Sequence, residues 1–207
     1  MPIINTVISG GSSPTPSGKY QLLQRVTDDS NNEIGTVCGF HTDANDVEYA
    51  VVCLDAQYRL ASGQYLSVQA LVTGLQQFGT QVVWGYLDTA TSNCDKILAF
   101  IDGTAYTSSA VSHCRSKSFV VDGTTYYGQL PTIVELTDVF RNRIAINTKD
   151  TSAGQYSSLV VPYAIATWSS TQANDAKGWQ IKYDGTIGLI NKNSDAFVIP
   201  ILELPNA

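Results

Sequence analysis

The sequence predicts an α+β fold: a β-rich N-terminal region followed by a domain in which helices and strands are mixed. Three observations lead there. The run Gly10-Gly11-Ser12-Ser13-Pro14-Thr15-Pro16-Ser17-Gly18 is a linker by composition and sets residues 1–18 apart. Thr132-x-x-Glu135 directly after Pro131 reads as a capping box, and Leu136, Val139 and Phe140 continue it as an apolar stripe at i, i+3, i+4. Asp122-Gly123 and Asp184-Gly185 are hairpin turn signals between apolar runs. The resulting division is residues 1–18 as an anchoring peptide with its linker, 19–80 as a β-rich region, and 81–207 as the mixed domain.

In the first segment Ile3, Ile4, Val7 and Ile8 form a short apolar tip on a flexible tether, too small to bury itself. It is expected to dock onto a larger assembly; a frayed terminus is the alternative. Residues 20 to about 69 read as a meander of hairpins, with turns at Asp28-Asp29-Ser30-Asn31-Asn32 and Thr42-Asp43-Ala44-Asn45-Asp46. Both turns resemble fragments of calcium loops, but lack the spaced acidic ligands and the terminal glutamate, so ordinary turn chemistry is expected.

The mixed domain begins ambiguously, with Gly74 and Gly79 as breakers. A short helix is expected from Asn93 as cap to Gly103, burying Ile97, Leu98 and Ile101. A hairpin follows over 119–127, then a helix from Ile133 to about Arg143. A polar loop leads to Trp168, which is expected to end a strand as the chain turns through Ser169-Ser170-Thr171 into a loop. Gly178-Trp179 restarts a strand, and the hairpin at Asp184-Gly185 precedes a final apolar strand.

Composition excludes several classes of function. Charged residues make up only 14% and the formal net charge is −6, with no basic run, so nucleic acid is an unsuitable partner. No apolar span is long enough for a membrane helix, which gives the expectation of no membrane insertion. The N-terminus lacks a basic region before its apolar residues, so synthesis and folding in a cytoplasm are expected. Ser, Thr, Asn and Gly abundance with eleven Tyr is the texture of β-rich extracellular or virion proteins. Cys38, Cys53, Cys94 and Cys114 show no C-x-x-C spacing and are read as reduced and buried, with disulfide pairing as the alternative.

Taken together, Gly128-Gln129-Leu130-Pro131-Thr132 with Glu135-Leu136, then Trp168-Ser169-Ser170-Thr171, Gly178-Trp179, Asp184-Gly185 and a closing apolar strand resemble the C-type-lectin-like fold. The similarity covers about residues 85 to 205 and is to the LPT-x-x-EL and WSS-T branch found in phage and bacterial surface proteins. It makes residues 81–207 a C-type-lectin-like domain. The tether, the meander and the length are similar to head fibre proteins of crAss-like gut bacteriophages, a resemblance that implies residues 19–80 are an oligomerisation or attachment region.

That resemblance implies a bacteriophage virion structural protein: a capsid fibre subunit that forms a homotrimer and attaches to another capsid or fibre protein through its N-terminal segment. Its lectin-like tip would face a host surface glycan or protein. It also implies localisation in the virion after synthesis in the host cytoplasm, and no enzyme activity. The alternatives are a bacterial surface adhesin or retroelement-diversified receptor-binding protein of the same fold, and a degenerate enzyme. The chain departs from sugar-binding animal lectins, because Ser169 and Ser170 stand where those carry the oxygen ligands for calcium.

Ligand contact is expected from polar and aromatic residues on the last loops and hairpin: Gln172, Asn174, Asp175, Lys177, Gln180, Lys182, Tyr183, Asn191, Lys192 and Asn193. A merely solvated hairpin is the alternative. Trp168 and Trp179 are read as core. His41 and His113 are the only histidines. His113-Cys114 near Asp95 could sketch a nucleophile and base, or a zinc site with Cys94, but no glycine elbow, H-E-x-x-H or phosphate loop accompanies it. Both residues are therefore read as packed, and no catalytic residue, metal ligand or cofactor is assigned.

Overall fold

A computed structural model describes residues 18–59, 89–101, 109–150, 166–173, 177–182, 184–192 and 194–207. It is a mixed α+β structure in which strands predominate. The main sheet is antiparallel and four-stranded, in the order β1 (Arg25–Thr27), β2 (Glu33–Thr42), β3 (Glu48–Leu54), β9 (Ile201–Pro205). Its hairpins turn where the sequence says. Asp28 Oδ1 accepts the Ser30 and Asn32 N–H groups, and Asp43 Oδ1 accepts those of Asn45 and Val47. Asn31 and Asp46 supply the left-handed backbone each turn needs.

The two faces of this sheet carry two apolar clusters. Val37, Ala50, Val52, Leu54, Leu202 and Leu204 face the hairpin formed by β4 (Ser118–Val121) and β5 (Thr124–Tyr127), through Phe119 and Val121. Cys38, Val51, Cys53 and Ile201 face the helices. These are α1 (Ala90–Ile101), α2 (Ala110–Arg115) and α3 (Ile133–Lys149). Beyond the helices lies a second antiparallel sheet of β6 (Thr167–Gln172), β7 (Lys177–Ile181) and β8 (Ile187–Asn191).

A bulge at Cys38 decides which side chains of β2 reach which layer. Val37 pairs with Val52 and Gly39 with Val51, so Cys38 is an extra residue between them. Strict alternation would put Gly39 with Val37 and send His41 to the hairpin side. With the bulge, Phe40 packs on the hairpin-side cluster and His41 turns to the helices. The carbonyl of Cys38 accepts a hydrogen bond from Asn142 Nδ2 of α3 at 2.9 Å. Gly39 permits the close approach there, since a Cβ would lie 2.5 Å from Asp138 Oδ2.

Several sequence expectations change. The expected boundary at 80/81 lies outside the described residues, yet it does not separate two cores. β9 is hydrogen-bonded to β3 from Tyr49–Pro205 to Cys53–Ile201, and the helix-side cluster draws residues from both sides of the boundary. The apolar run of β3 needs a partner on each edge, and only the last strand supplies the second. Helix α1 starts at Ala90, placing Asn93 inside it rather than at its cap; Thr89 Oγ1 caps it by accepting the Ser92 N–H. Helix α3 runs six residues past Arg143, because Ile146 returns to the buried face one heptad after Val139 while Ile144 faces water. Trp168 does not end a strand: β6 continues through Gln172 with every residue buried.

The hydroxyls of β6 are accommodated by internal partners. Ser169 Oγ donates to the Trp179 carbonyl at 2.7 Å. The Ser170 N–H donates to the Pro131 carbonyl at 2.7 Å, and Thr171 Oγ1 accepts the Ile133 N–H at 3.0 Å. The expected hairpins are present, with left-handed Asp122 and Gly123 joining β4 to β5 and Gly185 in the turn joining β7 to β8.

If the sheet is closed only by β9, residues 19–80 expressed alone will lack a cooperative thermal transition by circular dichroism. A cooperative melt of that fragment would restore the two-domain division.

Candidate functional site

Three ionisable side chains from distant parts of the chain meet in the layer between the main sheet and the helices. His41 comes from β2, Glu135 from the first turn of α3 and Glu203 from β9. His41 Nδ1 lies 3.3 Å from Glu135 Oε1, and His41 Nε2 lies 3.5 Å from Glu203 Oε1. The side chains are 14%, 3% and 4% exposed respectively. Tyr49, the cross-strand neighbour of His41, stacks on the imidazole at a centroid distance of 5.4 Å.

Each carboxylate is fixed by a helix N-terminus, where free N–H groups and the helix dipole favour negative charge. Glu135 closes the capping box: its Oε2 accepts the Thr132 N–H at 2.7 Å while Thr132 Oγ1 accepts the Glu135 N–H. Glu203 does the same for α1 from outside the helix. Its Oε1 accepts the Ala90 N–H at 2.8 Å, and its Oε2 accepts the Thr91 N–H at 2.9 Å and the Thr91 hydroxyl. With Thr89 taking the Ser92 and Asn93 N–H groups, the first turn of α1 is fully satisfied.

Proximity splits the acidities of the two glutamates. Burial and the charge of Glu135 push the Glu203 pKa up to about 8. Burial would raise Glu135 as well, but hydrogen bonding and charge from His41, with Glu203 and the Thr132 N–H, hold it below the ordinary value. Burial acts to lower His41, and Glu135, Glu203 and Asp43 outweigh it, so the imidazole is raised. Asp138, one turn further along α3, is raised by burial, with Arg141 opposing. The arrangement is a proton-sharing cluster, Glu203–Glu135–His41, of the kind two carboxylates form when both cannot ionise. Neither ring nitrogen of His41 nor Glu135 Oε1 has a hydrogen bond of good geometry.

The residues expected to contact ligand divide into three groups. Lys177, Lys182 and Asn191 are exposed on the β7–β8 hairpin, as are Ile187 and Leu189. Gln172, Gln180 and Lys192 are not surface residues: all three are buried, and Lys192 Nζ donates to Gln172 Oε1 at 2.5 Å. Burying an ammonium requires an acceptor, and Gln172 on β6 supplies one. Asn174, Asp175, Tyr183 and Asn193 lie outside the described residues, as do Ile3, Ile4, Val7 and Ile8.

The cysteines are buried free thiols. Cys94 Sγ accepts the Leu130 N–H at 3.2 Å, and burial pushes its pKa up to about 12, the state of an inert packing residue. Asp95 points outward to pair with Arg115. Cys94, His113 and Cys114 therefore assemble neither the nucleophile nor the zinc set considered from spacing. Among the described residues the one group of potential ligands brought within 4.8 Å is His41, Glu135 and Glu203. Spacing gave no sign of it. The available signal was Glu203 itself, a lone charge in the apolar strand Ile201-Leu202-Glu203-Leu204.

No protein-family model matches the chain, and no curated protein matches it. No described helix is long and apolar enough to cross a membrane.

Two outcomes follow from this geometry. Between the ordinary 4.5 and about 8, the folded chain holds a proton on Glu203 that the unfolded chain releases, so stability falls as pH rises through that window. His41, raised from 6.5, adds a loss in the same direction. In chelator-treated buffer the urea midpoint should drop from about pH 6 to about pH 8.5, and Glu203→Gln should flatten the drop; parallel curves would refute the shared proton. Lys192→Ala should cost about 1–3 kcal/mol by urea unfolding, because it removes a buried side chain and its hydrogen bond to Gln172 Oε1, whereas Lys182→Ala should leave the midpoint unchanged.

Proposed function

We propose that the chain is a non-enzymatic structural protein of a bacteriophage virion: a capsid fibre subunit whose C-terminal, C-type-lectin-like part presents a binding face to the host surface. The observation that supports this reading best is the meeting of its two sequence motifs. Leu130-Pro131-Thr132 and Trp168-Ser169-Ser170-Thr171 are some 35 residues apart. They are joined by the Ser170 N–H on the Pro131 carbonyl and by Thr171 Oγ1 on the Ile133 N–H. The motifs thus act as one structural joint, with Trp168 packed in the core beside them.

On this reading the exposed face of the β7–β8 hairpin is the binding surface. Lys177 and Asn191 offer charge and hydrogen bonds there, and Ile187 and Leu189 offer apolar contact, with Lys182 exposed at the turn end on the opposite face. Ile3, Ile4, Val7 and Ile8 anchor the subunit to another capsid or fibre protein, and closed symmetry makes it a homotrimer. A non-enzymatic role accords with how the buried glutamates are used, since both serve helix N-termini and His41 offers solvent one edge only.

Light scattering on the purified chain at several concentrations tests the reading. A constant mass of about three chains is expected, and deletion of residues 1–18 should leave that oligomer intact while abolishing attachment to its scaffold. A concentration-independent monomer would overturn the trimeric fibre.

A further inference from the structure

We propose that His41, Glu135 and Glu203 bind one divalent transition-metal ion of the zinc type. The inference is independent of the fibre reading and rests on four features of the site.

The first is separation. His41 Nδ1 lies 3.3 Å from Glu135 Oε1, the spacing of neighbouring ligands on a tetrahedral ion with bonds of about 2.0–2.1 Å, while Glu203 Oε1 lies 3.5 Å from the other ring nitrogen and would swing toward the ion to join the set. All three residues offer a ligand atom within 4.8 Å of the others. The second is unused capacity. Glu135 is 3% exposed, and neither its Oε1, aimed at His41, nor either ring nitrogen has a hydrogen bond of good geometry. Buried polar atoms are rarely left so, and here three converge.

The third feature is the support around the ligands. The outer oxygens, Glu135 Oε2 and Glu203 Oε2, are held by the Thr132 and Thr91 N–H groups, which turns the inner Oε1 atoms to the imidazole, that of Glu203 while it also accepts the Ala90 N–H. Outer hydrogen bonds of this kind orient ligating carboxylates in metal sites. The fourth is charge. Binding would release the protons that Glu203 and His41 hold, and the two carboxylates and neutral imidazole that result, at −2, are brought to zero by a divalent ion. An imidazole in the set favours zinc and its first-row neighbours over calcium or magnesium, which prefer oxygen alone. Three protein ligands leave a coordination position for water. A bound ion would tie β2, α3 and β9 together at one point.

The full chain, stripped with a chelator and dialysed, would be titrated calorimetrically with Zn²⁺ and followed by visible absorption with Co²⁺. Saturable binding of one ion per chain is expected, with a raised melting temperature. The Co²⁺ spectrum should show visible d–d bands without the near-ultraviolet band of a cobalt–thiolate bond. His41→Ala, with an unchanged far-ultraviolet circular dichroism spectrum, should abolish binding. His41→Asn serves if that variant does not fold. Absence of saturable binding to the unmutated chain would overturn the proposal, as would a thiolate band placing the ion at the cysteines, or unchanged affinity without His41.

Discussion

The structure depends on a carboxylate delivered to the start of one helix by a strand more than a hundred residues away. Glu203 occupies the N-terminus of α1 with both oxygens and lies against the glutamate that caps α3. Two helix N-termini therefore point at one buried spot, and each needs negative charge there. Two neighbouring anions in a nearly dry layer repel strongly. His41 and a retained proton relieve that conflict, and His41 can do so only because the bulge at Cys38 turns it toward the helices. Sheet register, helix capping and local acidity are one coupled problem with one solution.

A second buried ionic contact works at the other end of α3. Asp150, its C-terminal cap, accepts the Ala56 N–H at 2.7 Å and lies 3.5 Å from Arg59, which also donates to the Leu54 carbonyl. Helix α3 is thus tied to β9 at its start and to the end of β3 at its finish. Asn142 holds the bulge of β2 in between. A long helix laid across a sheet is fixed against both sliding and rotation by these three polar joints, where apolar packing alone would specify neither so sharply.

What could be read from the sequence was what lies within a few residues. The capping box at Thr132 and Glu135, the left-handed turns at Asp122-Gly123 and in Asp184-Gly185-Thr186, and the Asx turns at Asp28 and Asp43 all stand as expected, because each is settled by local hydrogen bonds. What failed was settled by tertiary partners. Helix α1 begins where Glu203 and Thr89 meet it, and only Thr89 is local. The sequence reading ends α3 near Arg143, yet Ile146 lies on the buried face of α3 a heptad beyond Val139. Lys192 and Gln172 looked like surface residues because such side chains usually are, and nothing nearby reveals that each is the other's buried partner.

The position of β9 at the edge of the main sheet also has a consequence in time. During synthesis β1, β2 and β3 emerge early, and β3 carries an apolar run with one edge of N–H and carbonyl groups unpaired. That edge is a template for any passing strand until residue 205 is free. The first turn of α1 waits for the same event. Folding of the chain is therefore largely post-translational, governed by its most distant pairing. Where many nascent copies wait in that state together, the rate at which the last strand reaches its edge, as much as final stability, sets the yield of native protein.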